Sequence, residues 1–90
     1  MNKKLNILFI DDDPIEFIKF EKAVSLDNKH NILQINEAEK ALLKLDSFQP
    51  NIIIVDINMP LMNGLEFLII LKKNDKYKHI PVVVLTTSNN

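Results

Sequence analysis

A chain of 90 residues, 47% hydrophobic and 26% charged with a net charge of −1, makes one small domain with enough apolar content for a core. The absence of cysteine excludes a disulfide framework, a thiolate nucleophile and a thiolate zinc site, and all 11 cations are lysine, so there is neither a basic footprint for nucleic acid nor an arginine fork to grip phosphate or guanine. The longest apolar runs, such as Ile52–Val55 and Val82–Leu85, are far too short to span a bilayer. The amino terminus passes from two lysines and a short apolar run straight into three acids, without the small-residue cleavage site of a signal peptide. A cytoplasmic protein with no membrane segment and no direct contact with nucleic acid is expected.

In chain order, Leu5–Ile10 reads as a first strand. Asp13 caps a helix that begins at Pro14, a residue suited to a first helical turn, and Phe17, Phe20 and Val24 recur at helical spacing to about Leu26. Ile32–Ile35 is a short second strand. Ala38–Leu45 places Ala38, Ala41, Leu42 and Leu45 at i, i+3, i+4, i+7, which predicts an amphipathic helix. Pro50 ends the connection, Ile52–Val55 form a third strand, Asn63-Gly64 opens a third helix over Leu65 to about Lys73, and Pro81 precedes a fourth strand, Val82–Thr86. Strands one, three and four are continuous apolar runs, as expected where helices cover both faces of a parallel sheet. The order βαβαβαβ predicts a doubly wound α/β domain.

In such sheets, sites form at the carboxyl ends of strands where the strand order reverses. Asp11 and Asp12 end strand one, Asp56 ends strand three, and Thr86 and Thr87 end strand four. If strands one and three are neighbours, three carboxylates converge, and their repulsion requires either a protonated carboxyl or a bound cation. Oxygen ligands without sulfur or nearby histidine point to Mg²⁺ or Mn²⁺, and magnesium characteristically pairs one or two carboxylates with a phosphate oxygen. The pocket therefore suits an aspartate that becomes phosphorylated. His30, His79 and the lysine cluster 72–78 lie away from it and read as surface groups, and Met59 and Met62 read as packing for the loop after Asp56.

The segments ILFIDDDP (7–14), IIIVDINMPLMNGLEFL (52–68) and IPVVVLTTS (80–88), in this order and at these separations, resemble the receiver domain of two-component response regulators, and the resemblance covers essentially the whole chain. It implies a flavodoxin-like sheet of order 2-1-3-4, and it implies that residues 1–90 form a partial receiver whose fifth strand and last helices are missing. It also implies that Asp56 is the phosphoacceptor, attacking a phosphohistidine of a sensor histidine kinase or phosphotransfer protein. Asp12 would bind Mg²⁺ directly, Asp11 would help through a water, and the Asn58 backbone carbonyl would complete the protein ligands. Thr86 matches the hydroxyl that turns to the phosphoryl group, Thr87 the usually small neighbour that leaves room for it, and Pro60 and Gly64 the loop that aims the Asn58 carbonyl.

The family's lysine and aromatic switch residue belong to a fifth strand that these 90 residues do not include, and no lysine here stands in for the former. More protein, or another chain, is expected to cover the fourth strand, and that exposed strand with its uncovered faces is expected to drive self-association. On this reading the protein is a signalling module rather than an enzyme. Two alternatives compete. A haloacid-dehalogenase-like phosphatase would use Asp11 as nucleophile and Asp13 as acid/base, but it leaves Asp56 unexplained and has Ile15 where threonine or valine is usual. A receiver-fold interaction module would not be phosphorylated at all.

Overall fold

A computed structural model describes residues 4–24 and 30–86. Seven elements follow one another: β1 (Asn6–Ile10), α1 (Pro14–Val24), β2 (Asn31–Ile35), α2 (Ala38–Phe48), β3 (Ile52–Asp56), α3 (Gly64–Lys72) and β4 (Val82–Leu85). The strands form one sheet in the order β2-β1-β3-β4, and every neighbouring pair is parallel. The doubly wound parallel sheet expected from the element order is observed, and so is the strand order 2-1-3-4 that the family resemblance implies.

Alternation along the strands sorts the core into two layers. Leu8 and Ile10 of β1, Ile53 and Val55 of β3, and Val82 and Val84 of β4 pack with Ala38, Ala41 and Leu45 of α2 and with Phe67 and Leu71 of α3. Ile7, Phe9, Ile52, Ile54 and Leu85 gather instead with Phe17, Phe20 and Val24 of α1. On that side Phe20 stacks on Phe9 at 4.8 Å between ring centroids, and Phe17 meets it tilted at 5.8 Å. Both rings of α1 thus rest on one residue of β1, so burying that helix also pins the strand that carries Asp11 and Asp12.

The helix starts follow local chemistry. Asp13 caps α1, its Oδ1 accepting the Ile15 N–H at 2.9 Å. Asn63 caps α3 in a reciprocal box: its side chain accepts the Glu66 N–H and the Glu66 carboxylate accepts the Asn63 N–H, each at 2.9 Å.

Several boundaries differ from expectation. β1 begins at Asn6 rather than Leu5, because the Leu5 N–H donates to His30 Nδ1 at 2.9 Å. His30 is consequently half-buried and engaged, not a plain surface group. Helix α1 is described to Val24, and its expected end at Leu26 lies outside the described residues, as does Thr87. Helix α2 runs on to Phe48, where Gln49 turns left-handed at φ 52° and returns its N–H to the Leu45 carbonyl. Glutamine in place of the glycine common at such turns hid that stop in the sequence. Helix α3 ends at Lys72, and β4 stops one residue short of Thr86. The lysines at the end of α3 and beyond it are not merely solvated: Lys72 Nζ donates to the Lys78 and Ile80 carbonyls, and Lys76 pairs with Asp46 at 2.7 Å.

Gly64 is buried where α3 meets the end of β3. A Cβ built there would lie 2.6 Å from the Asp56 carbonyl oxygen and 3.0 Å from the Ile57 Cα, both backbone atoms that cannot swing away. Gly64→Ala must therefore displace the helix or the strand end, and is expected to destabilise the fold by about 1–3 kcal/mol, typical of forced overpacking. A urea midpoint equal to that of the parent would show that the approach is looser than this.

Candidate metal and phosphoacceptor site

The pairing of β1 with β3 sets Ile10 opposite Val55. The next residues of the two strands, Asp11 and Asp56, therefore leave the sheet side by side at its carboxyl end. Asp11 is fully buried and Asp56 is 4% exposed, while Asp12 reaches solvent. Each of the three offers a carboxylate oxygen, and these oxygens all lie within 4.8 Å of one another. The expected convergence of Asp11, Asp12 and Asp56 is observed.

Backbone groups hold this arrangement in place. The Asp11 N–H donates to the Ile35 carbonyl at 3.0 Å, and Asp11 Oδ1 accepts the Asp13 N–H at 2.9 Å. The Asp11 carbonyl accepts the side-chain amide of Gln34 at 2.8 Å. Asp56 Oδ1 accepts the Asn58 N–H at 3.1 Å, which folds the chain back directly after the strand. Ile57 then ties three elements together: its N–H reaches the Leu85 carbonyl of β4 at 2.9 Å, and its carbonyl accepts the Gly64 N–H at 3.3 Å.

Beyond Asp56 the loop carries Asn58, exposed, then Met59, which is buried in the main core and anchors the segment. Leu61 adopts φ 69°, a left-handed conformation costing a non-glycine residue roughly 1–2 kcal/mol, and its side chain is 83% exposed. Thr86 is exposed just beyond the end of β4, where Leu85 stands in register with Asp56. Asn58 and Thr86 thus both border the strand end that carries Asp56.

The electrostatics favour a cation. Burial pushes the Asp11 carboxyl up to about 6; the Asp13 N–H opposes that rise, and the charges of Asp56, Asp12 and Asp13 add to it. Asp11 Oδ2 is buried and has no hydrogen-bond partner among the described residues. A buried carboxyl with one oxygen lacking a donor among the described residues, beside two further carboxylates, gives an all-oxygen donor set that fits a hard divalent metal ion.

Sequence reasoning missed one contributor, Gln34, and one contact of a residue it had named, Gly64. Gln34 lies on a strand without acids, signalled only by one polar residue within an aliphatic run, and the close approach of Gly64 to Asp56 depends on how α3 docks.

The raised value at Asp11 has a definite sign. A carboxyl that holds its proton more tightly when folded adds stability below its unfolded value of 3.8, and that contribution disappears as pH rises through about 6. Without metal, the parent should lose about 1–3 kcal/mol of stability between pH 4 and pH 7 from this group. Asp11→Asn, which keeps an oxygen for the Asp13 N–H, should flatten that slope and raise the urea midpoint at pH 7 in EDTA. A variant less stable than the parent there would contradict the repulsion argument.

Comparison with known proteins agrees with the geometry. The sequence profile described as the response regulator receiver domain matches residues 7–90. Response regulator Rcp1 of Synechocystis sp. is 40% identical over 74 residues, 77% of this chain, which spans 50% of that protein's length. Protein-glutamate methylesterase/protein-glutamine glutaminase 2 of Vibrio vulnificus is 30% identical over 89 residues, covering 97% of this chain and 25% of that enzyme. Among solved structures, the Mn²⁺-bound form of response regulator Rcp1 aligns with a TM-score of 0.83 at 30% identity, over 96% of this chain and 68% of that one. The phosphorylated cyanobacterial phytochrome response regulator RcpA aligns with a TM-score of 0.83 at 28% identity, over 98% and 69%. These matches do not favour the dehalogenase-like alternative, and Asp13, its acid/base, spends its side chain on capping α1. The buried acids at the ends of β1 and β3, the parallel order that pairs them and the profile match together make this chain a member of the response regulator receiver domain family.

Proposed function

We propose that Asp56 is the phosphoacceptor of a signalling receiver and that Asp11 and Asp12 hold the Mg²⁺ it requires, with the Asn58 carbonyl and Asp56 itself completing the protein ligands. One observation carries this reading: a nearly buried aspartate at the end of β3, with its carboxylate within 4.8 Å of two others. The donor of the phosphoryl group is a phosphohistidine on a sensor histidine kinase or phosphotransfer protein. An Asp56 carboxylate oxygen attacks the phosphorus, the new P–O bond forms as the P–N bond to the imidazole breaks, and the departing ring takes its proton from solvent.

When bound, Mg²⁺ supplies the positive charge that lets anionic carboxylates and phosphoryl oxygens share one pocket; Mn²⁺ satisfies the same donor set. Asp11, desolvated and lacking a donor for Oδ2, is the residue whose charge most needs that neutralisation. The Asn58 N–H donates to Asp56 Oδ1 and so orients the attacking carboxylate. The Thr86 hydroxyl, bordering the same strand end, donates to a phosphoryl oxygen once the group is in place. The module works in the cytoplasm, touches no nucleic acid itself and transfers no group beyond its own phosphorylation and dephosphorylation. In the described residues no helix is long and apolar enough to cross a membrane.

Incubation with acetyl phosphate and Mg²⁺ followed by intact-mass measurement tests the site. One phosphoryl group should add to the parent and none to Asp56→Ala; equal labelling of both would remove Asp56 from the role. Self-association through β4 is supported by that strand's place at the sheet edge, where Val83 is 44% exposed. Sedimentation across a concentration series should show growing mass, and a constant monomer would refute it.

A further inference from the structure

Strand β2 contributes no acid to the site, yet among the described residues it supplies two of the three hydrogen bonds at Asp11, both of them to its backbone. The Ile35 carbonyl takes the Asp11 N–H at 3.0 Å, and Gln34 Nε2 donates to the Asp11 carbonyl at 2.8 Å. The third, from the Asp13 N–H to Asp11 Oδ1 at 2.9 Å, is local to the turn. Gln34 is the one polar side chain in the run Ile32–Ile35, and it stands in register with Phe9, two residues before Asp11. Its neighbour on the same side, Ile32, packs in the layer of α1, where apolar contact alone would favour another aliphatic residue. Gln34 instead extends along the sheet to the carbonyl just past the end of β1.

That carbonyl belongs to the peptide unit joining Asp11 to Asp12. The unit is planar, so holding its oxygen also fixes the direction of the Asp12 N–H and restricts how the Asp12 Cα leaves the strand. Asp12 is exposed, so burial does not do this for it. We infer that Gln34 is a positioning residue for the metal site: its amide grips the Asp11–Asp12 peptide and thereby aims the solvent-exposed Asp12 carboxylate at the oxygens of Asp11 and Asp56. The inference rests on the reading of these acids as metal ligands. Partners that orient ligands without touching the metal commonly change affinity by about 10- to 100-fold when lost. Gln34 acts through the backbone of a ligand, so its effect belongs at the low end of that range.

The test uses Gln34→Met, which keeps the length and apolar stem but removes the donor, and Gln34→Asn, which keeps the amide on a stem one methylene shorter. Tyr77→Phe, which loses the hydrogen bond to Asp46 between the turn after α3 and α2, is a control far from the acids. Urea unfolding ranks the stability of all four proteins, and calorimetric titration with Mn²⁺ reads the site. Both Gln34 variants should bind Mn²⁺ about tenfold more weakly, while Tyr77→Phe keeps parental affinity. In metal-free protein, amide exchange at Asp13 should accelerate in the Gln34 variants only. A purely structural role predicts affinity that follows stability, so weakening in Tyr77→Phe to the same degree would overturn the inference, as would parental affinity in folded Gln34→Met. A parent that binds no Mn²⁺ would overturn the metal reading of the acids, and the role of Gln34 with it.

Discussion

The parallel register between β1 and β3 is the constraint on which everything else in this protein depends. With Ile10 opposite Val55, the two strands release Asp11 and Asp56 at the same level of the sheet, and a slip of one residue would turn one of the carboxylates to the other face. Nothing local to either aspartate brings them together. The register is held by burial on both sides of the sheet: Leu8, Ile10, Ile53 and Val55 pack against α2 and α3, and Ile7, Phe9 and Ile54 against the side of α1. The apolar core thus acts as the ruler that spaces the charges.

That spacing is electrostatically unfavourable when the site holds only the protein's own groups. A carboxyl with no exposure, raised to about 6 by burial with three neighbouring acids adding to the rise, is kept in place only because the surrounding structure determines its position. The same features that make the arrangement costly make it responsive: a divalent cation and a phosphoryl group each change the local charge by more than any conservative rearrangement of side chains could. Two tight features of the backbone lie at the same end of the sheet. Leu61 holds a left-handed conformation and Gly64 admits backbone where no side chain fits, both within the segment that leads from Asp56 into α3.

The loop and the neighbouring strands are tied to the site through backbone groups. Ile57 links the end of β4 to the start of α3, and Ile35 and Gln34 link β2 to Asp11. Each strand of the sheet therefore reaches the acidic cluster, although only β1 and β3 supply carboxylates. An edge strand such as β2 is usually regarded as cover; here its terminal bonds define where the acidic pair begins.

Much of this was legible in the chain itself, for identifiable reasons. Apolar runs bounded by proline, helical spacing at Phe17, Phe20 and Val24, and acids placed directly after aliphatic strands are local patterns, and they determined the element order, the parallel sheet and the identity of the three acids. Element ends governed by distant partners were not legible: the start of β1 depends on His30, and the stop of α2 on a left-handed Gln49 that carries no glycine signature. The burial that raises Asp11, the unpartnered Oδ2, the grip of Gln34 and the approach of Gly64 to Asp56 all arise between segments far apart in sequence. Sequence by itself determined which groups the site would contain, because residue type and local period are written along the chain. Only the tertiary structure decided their distances, their exposure and their supporting bonds, because those depend on how the strands register and how the helices dock across the sheet.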